Sequence, residues 1–238
     1  MPQPDTKFAI IAMPRTGTNA LVTALKTHEN CYAEFEIFHN DVIYGPLEKD
    51  FTVAERDADT EAFLDFAVNA GCAWKPDVRC YGFKIFFGHN DTVMERLIKD
   101  PSWSMILLRR ENTLDQFLSL EIAFKTDVWN TRMGDKVAKV MLDEKKFLAF
   151  NAEVDGYYSW AERLLVEAGG PWTRFSYDDM AAGTYGPLCD FLRLAPPHDI
   201  APPKLRKQNP RRTADKLENP DEVYAMLERE GLTHFWVD

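Results

Sequence analysis

The sequence predicts an α/β fold: a three-layer α/β/α arrangement with a central parallel sheet. Three observations carry this. Short runs at residues 8–13 (FAIIAM), 81–87 (YGFKIFF), 104–109 (SMILLR) and 172–176 (WTRFS) read as strands, the first wholly apolar, as a strand buried on both faces must be. Stretches with helical spacing alternate with these runs, and that alternation is the mark of a parallel sheet covered on both sides. Finally, 238 residues with 45% hydrophobic and 28% charged content describe a globular chain. Such a chain buries a large core without disulfides or structural metal, and residues 1–238 are expected to form one domain.

The elements follow in order. After the first strand, residues 14–18 form a turn-rich loop, and Ala20, Leu21, Ala24 and Leu25 mark a helix over 19–28. Residues 34–39 read as a loop beside that helix's far end. Residues 44–59 are polar and acidic, an excursion that is a candidate contact in a homodimer. Thr60 starts a helix expected to run through Ala70 and to end at Gly71. A helix over 91–99 is stopped by Pro101. Asn112 or Thr113 caps the next, with Leu114, Phe117, Leu118 and Ile122 as its buried stripe. Phe147, Phe150, Val154, Tyr157, Ala161 and Leu165 mark a long amphipathic helix ending at Gly169-Gly170, and another helix is expected near 185–194. Asn219-Pro220-Asp221-Glu222 is an N-cap, a first-position proline and first-turn acids, starting a last helix that runs to about Gly231. Ligands of such sheets bind past the strands' carboxyl ends, so the loops after Met13, Phe87, Arg109 and Ser176 should share one edge.

Composition excludes several classes. The net charge of −10 argues against broad nucleic-acid binding, which needs a basic face. Any anionic ligand must be held by a local basic cluster against the overall field. Cys31, Cys72, Cys80 and Cys189 form neither a CxxC pair nor a zinc spacing, and read as free thiols in a reducing cytoplasm. The N-terminus lacks the pattern of a signal peptide, and no apolar run approaches the roughly 20 residues of a transmembrane helix. The expectation is a cytoplasmic protein.

Pro14-Arg15-Thr16-Gly17-Thr18-Asn19 sits between a buried strand and a helix. A helix N-terminus there offers unpaired N–H groups and the positive end of a dipole. Gly17 permits close backbone approach, Thr16 and Thr18 add hydroxyls, and Arg15 adds a charged fork. These features describe a phosphate-binding turn. It is not the GxxxxGK[ST] nucleotide loop, having one glycine and no following lysine. A second basic segment, Arg109-Arg110, follows the third strand and leads into a helix carrying Ser119.

Together the two segments resemble the donor site of sulfotransferases that use 3′-phosphoadenosine 5′-phosphosulfate. The first resembles their 5′-phosphosulfate loop, with Asn19 where Thr or Ser is usual. The second resembles their 3′-phosphate motif, with a nine-residue step from Arg110 to Ser119 where eight is usual; Arg110 is the favoured contact and Arg109 the alternative. Residues 175–180 (FSYDDM) resemble a turn whose tyrosine, here Tyr177, meets the adenine region. Residues 204–209 (KLRKQN) resemble the late loop that closes over the nucleotide, with Lys207 and Gln208 as contacts. Lys204, Arg206, Arg211, Arg212 and Lys216 add basic charge nearby in the sequence, although the last three also suit a solvated surface. The likeness spans residues 8–222 and is nearest the bacterial branch that includes the trehalose and nodulation-factor sulfotransferases.

The resemblance implies the P-loop nucleotide-hydrolase-like sulfotransferase fold. It also implies in-line sulfuryl transfer without a metal, to a small-molecule or glycolipid acceptor, with carbohydrate hydroxyls the expected target. Arg15 and the loop N–H groups would stabilise the leaving phosphate. The base implied by the family's E-x-F segment is Glu36, with Glu34 and His39 as rivals. Burial beside Phe35 and Phe38 is expected to raise the Glu36 pKa. Lys84, mid-strand, needs an anionic partner or meets the sulfate; His89 is a further acid/base or acceptor-binding candidate. Two alternatives stand beside this reading: a phosphotransferase, and a catalytically inactive nucleotide-binding protein.

Overall fold

The computed structural model describes residues 3–75, 77–129, 138–196, 200–201 and 210–238. The chain divides into two compact units, one of Met1–Arg109 with Ser159–Pro203, the other of Arg110–Tyr158 with Lys204–Asp238.

The first unit begins with β1 (Thr6–Ala12), α1 (Thr18–Leu25) and β2 (Cys31–Glu34). Next come α2 (Val53–Ala58), α3 (Thr60–Trp74), β3 (Cys80–Phe86), α4 (Asp91–Lys99) and β4 (Trp103–Arg109). The second unit opens with α5 (Thr113–Thr126), and α6 (Glu144–Ala168) carries the chain back to the first. There β5 (Trp172–Ser176), α7 (Tyr177–Ala182) and α8 (Gly186–Phe191) complete the sheet and its cover, while α9 (Pro220–Glu230) belongs to the second unit.

The sheet has five strands in the order β2-β3-β1-β4-β5, all parallel. The α/β fold and the parallel sheet are as the sequence predicts. Four strands are legible in the sequence; β2 is not, and only its last residue, Glu34, falls in the loop expected over 34–39. Its four residues, CYAE, alternate apolar and polar groups too briefly to stand out, and only pairing with β3 makes them a strand.

Strand alternation assigns the two faces. Phe8, Ile10, Ala12, Cys80, Phe86, Ile106 and Leu108 pack with Leu21, Val22 and Leu25 of α1 and Leu188 and Cys189 of α8. Lys84 has the parity of Cys80 and Phe86, so it lies on the α1 face. On the other face, Phe83 meets Phe38, which packs edge-on against Phe63 of α3 at 5.4 Å. Gly71 does not end α3, which continues to Trp74. A Cβ at Gly71 would stand 2.2 Å from the Tyr81 ring, so this glycine is a notch for an aromatic side chain.

Because β1 lies between β3 and β4, the chain leaves β1 toward one side of the sheet and later returns to the other. The carboxyl end of β1 is therefore a topological switch point, where open α/β sheets bind ligands.

In the second unit, Leu114, Phe117, Leu118 and Ile122 of α5 pack with Phe147, Val223, Met226 and Leu227. Asn112 caps α5, accepting from the Asp115 amide at 2.8 Å. Asn219 and Pro220 begin α9, and Gly231 ends it in the left-handed conformation.

Candidate functional site

The loop after β1 turns sharply. Arg15 has φ 65° and Gly17 φ 86°, both left-handed. For a non-glycine residue that conformation costs free energy of order 1–3 kcal/mol, so surrounding contacts must hold it. The Thr16 hydroxyl, fully buried, donates to the Met13 carbonyl at 2.9 Å and thus closes the loop on itself. Gly17 occupies the N-cap of α1, and its carbonyl accepts from Ala20 and Leu21. Among the described residues no side chain caps this helix, so backbone N–H groups set the character of its N-terminus. A Cβ on Gly17 would lie 2.5 Å from Cε of Met180 and 2.9 Å from the Tyr177 ring. The glycine is needed for its φ and because α7 packs against the loop at this point. Tyr177 therefore lies against the predicted phosphosulfate turn.

Lys84 reaches the same loop from β3. Its Nζ donates to Oδ1 of Asn19 in a short contact, to the Thr18 hydroxyl at 3.3 Å, and to Oε1 of Glu36 at 2.8 Å. The side chain is 1% exposed. Desolvation in this burial pushes the Lys84 pKa down; the Glu36 carboxylate opposes that shift, and nearby Arg15 adds to it. Three acceptors for three ammonium protons make the burial tolerable. Asn19 thereby gains a role: its side-chain carbonyl oxygen accepts from the lysine. The apolar pocket expected around Glu36 is instead a buried ammonium paired with a 16%-exposed carboxylate.

The turn after β2 holds Glu36 in place. The Glu36 carbonyl accepts from the His39 amide at 3.2 Å and the Tyr44 amide at 3.4 Å. Arg56, buried in α2, donates to the carbonyls of Ile37 at 3.1 Å and His39 at 2.7 Å and pairs with Asp57 at 2.8 Å. Nothing in the sequence marked Arg56, which falls in the segment read as an acidic excursion. Its two carbonyl partners are remote in sequence and local only after folding.

His39 lies edge-on to His89, with ring centroids 4.7 Å apart, and to Tyr44 at 5.4 Å. The His39 Nδ1 accepts from the Asp41 amide at 3.1 Å, which places a neutral ring's proton on Nε2. That hydrogen bond occupies the one lone pair of the neutral ring.

Glu34, the other rival, is fully buried at the end of β2. Neither carboxylate oxygen has a hydrogen-bond partner among the described residues, and the Gly45 backbone closes over one of them. Burial raises the Glu34 pKa, although Lys26 and the Tyr32 hydroxyl pull it back. A carboxyl raised in the folded state holds a proton that the unfolded chain releases. Its contribution is therefore complete below the unfolded value and is lost as pH rises through the folded one. Glu34→Gln should melt with the wild type at acid pH and above it at alkaline pH, because the amide has no charge to desolvate. Calorimetric melts across that range check this; parallel curves would show that Glu34 is not held protonated.

At the end of β4, Arg109 is partly exposed, and its charge helps keep the Glu162 carboxyl below the usual range, after the hydrogen bond from Arg174. In the second unit, Arg110 is buried and donates to Asp115 at 2.7 Å. Asp115 also takes the ammonium of Lys216 in a short contact. Lys216 is 1% exposed, so it is not a solvated surface charge. Asp115, which the sequence reading did not single out, gathers the two cations, and Ser119 is buried one turn further along α5. In sequence Asp115 is only an acidic residue in the first turn of a helix, three residues after its cap. Lys207 and Gln208 lie outside the described residues. No group of His, Cys, Asp or Glu suited to a metal ion occurs among the described residues, and no described helix is long and apolar enough to cross a membrane.

The fold is that of a sulfotransferase. The chain superposes on the crystal structure of a sulfotransferase from Alicyclobacillus acidocaldarius with a TM-score of 0.54, over 98% of this chain and 97% of that one, at 15% identity. In sequence it is similar to nodulation protein H of Rhizobium meliloti (strain 1021), 30% identical over 138 residues. That match covers 57% of this chain and 54% of the relative, so it spans about half the length of the curated relative. No protein-family model matches the chain. The sulfotransferase resemblance read from the motifs thus agrees with both comparisons.

Proposed function

We propose that this protein is a sulfotransferase that moves a sulfuryl group from 3′-phosphoadenosine 5′-phosphosulfate to a hydroxyl of a carbohydrate or glycolipid acceptor. The observation that carries the reading is the bridge Asn19–Lys84–Glu36, which joins the anion-binding loop to the carboxylate favoured as base. The residues fit the donor. The α1 N-terminus, Arg15 and the buried Lys84 give an acidic chain a local positive site at the sheet's switch point. Tyr177 against the loop supplies an aromatic surface for the nucleotide. Arg109, Arg110 and Ser119 are proposed for the 3′-phosphate, and Lys207 and Gln208 for closing over the nucleotide.

In this reading Glu36 takes the acceptor's proton as its oxygen attacks sulfur, while Arg15 and the loop N–H groups receive the negative charge growing on the leaving phosphate oxygen. Lys84 fixes the carboxylate relative to the loop, so the rate gain comes mostly from positioning and charge stabilisation.

Thermal melts separate this reading from its rivals. Adenosine 3′,5′-bisphosphate at about 100 times its Kd should stabilise the protein by about 2.7 kcal/mol, a rise of roughly 5–10 °C in Tm. ATP with magnesium should leave Tm unchanged. Stabilisation by ATP–magnesium alone would point to a phosphotransferase. Stabilisation by the bisphosphate without transfer to any saccharide would point to an inactive nucleotide-binding protein.

A further inference from the structure

His89 lies in the turn between β3 and α4, and the mechanism above does not use it. Its amide donates to the Phe86 carbonyl at 3.1 Å, and its ring packs 5.2 Å from Phe86 and 4.7 Å from His39. The turn is fixed from both sides: Asn40 donates to the Gly88 carbonyl at 3.0 Å, and Asp91 accepts from the Gly88 amide at 2.9 Å. The two imidazoles are thus held together by the segments that follow Glu36 and Lys84. The His89 Nδ1 is buried and has no hydrogen-bond partner among the described residues, although the residue as a whole is partly exposed. A buried ring nitrogen without a partner is unusual enough to need an explanation.

Burial, first, and then the neighbouring His39 push the His89 pKa down to about 4, with Glu36 opposing and Lys84 and Arg56 adding to the shift. The ring is therefore neutral at physiological pH and lies within the electrostatic reach of Glu36. A neutral imidazole both donates and accepts, which suits a hydroxyl group. Beside the pair stands an exposed aromatic group, Tyr44 at 43%, whose ring lies 5.4 Å from that of His39 and is of the kind that covers the apolar face of a sugar ring.

We propose that the His39–His89 pair forms the acceptor side of the site, with the His89 imidazole hydrogen-bonding a hydroxyl of a saccharide next to the one that Glu36 deprotonates. This rests on the sulfotransferase reading and deepens it. His89 then acts as an acceptor-contact residue that sets which hydroxyl is presented, and Glu36 remains the base.

The test measures transfer from radiolabelled 3′-phosphoadenosine 5′-phosphosulfate to trehalose and to N,N′-diacetylchitobiose, with adenosine 3′,5′-bisphosphate affinity by calorimetry, for wild type, His89→Ala and His89→Asn. For the probe that wild type sulfates, His89→Ala should raise acceptor KM about tenfold, the loss expected of one hydrogen bond. Its bisphosphate affinity should stay within a factor of two, and His89→Asn, which keeps a donor and an acceptor, should recover most of the KM. An unchanged KM in both variants overturns the proposal. A fall in bisphosphate affinity with KM unchanged also overturns it, by moving His89 to the donor side. If wild type binds the bisphosphate but sulfates neither probe, the saccharide contact is overturned while the donor site stands. If the bisphosphate does not bind wild type, the sulfotransferase reading itself fails.

Discussion

Glu36→Gln should lower kcat by about 10²–10⁴-fold, the usual contribution of a positioned general base, and leave adenosine 3′,5′-bisphosphate affinity close to wild type. The amide keeps the shape of the side chain and an oxygen that can accept from Lys84, so the β2 turn should keep its geometry. What it cannot do is take a proton from the acceptor hydroxyl. The measurement is steady-state transfer beside nucleotide calorimetry. Turnover equal to wild type would move the base to His39, because Glu34 is sealed beneath Gly45 and does not reach an acceptor. Loss of nucleotide affinity together with kcat would instead make Glu36 part of the donor site.

Lys84→Met should produce the second large effect, and it should fall on stability and catalysis together. The substitution removes the donor to Asn19, Thr18 and Glu36 at once. A buried acceptor left without its partner costs about 1–3 kcal/mol, which urea unfolding will register. Misplacing the base by an ångström is enough to cost about 10²-fold in kcat. The informative experiment is the double variant. If Lys84 acts by placing Glu36, Lys84→Met in a Glu36→Gln background should cost much less than in wild type, because the two residues act as one unit. Additive losses would show that Lys84 works independently of Glu36, for example by meeting the transferred group directly.

These two expectations depend on contacts of different legibility. Lys84 was visible in the sequence as a charge in an apolar strand, which demands a partner. The partner was not visible, since Glu36 and Asn19 lie 48 and 65 residues away. The same holds for Arg56, which sits in an acidic segment that periodicity reads as surface and yet holds the Ile37 and His39 carbonyls. Asn19 read as a departure from a motif, and only the reach of Lys84 shows what the amide does.

The sequence by itself determined the parallel α/β sheet, most of its strands and the turn after β1, because these rest on local chemistry. Apolar runs, helix periodicity, Asn112 and Asn219 at helix starts and Gly17 at a left-handed position all act within a few residues. Only the tertiary structure decided that CYAE is a strand, that Gly71 receives the Tyr81 ring, that Lys216 is buried against Asp115, and that Lys84 ties Glu36 to the loop. Each of these depends on burial by a segment distant in the chain, and burial gives a lone charge or a missing side chain its energetic meaning.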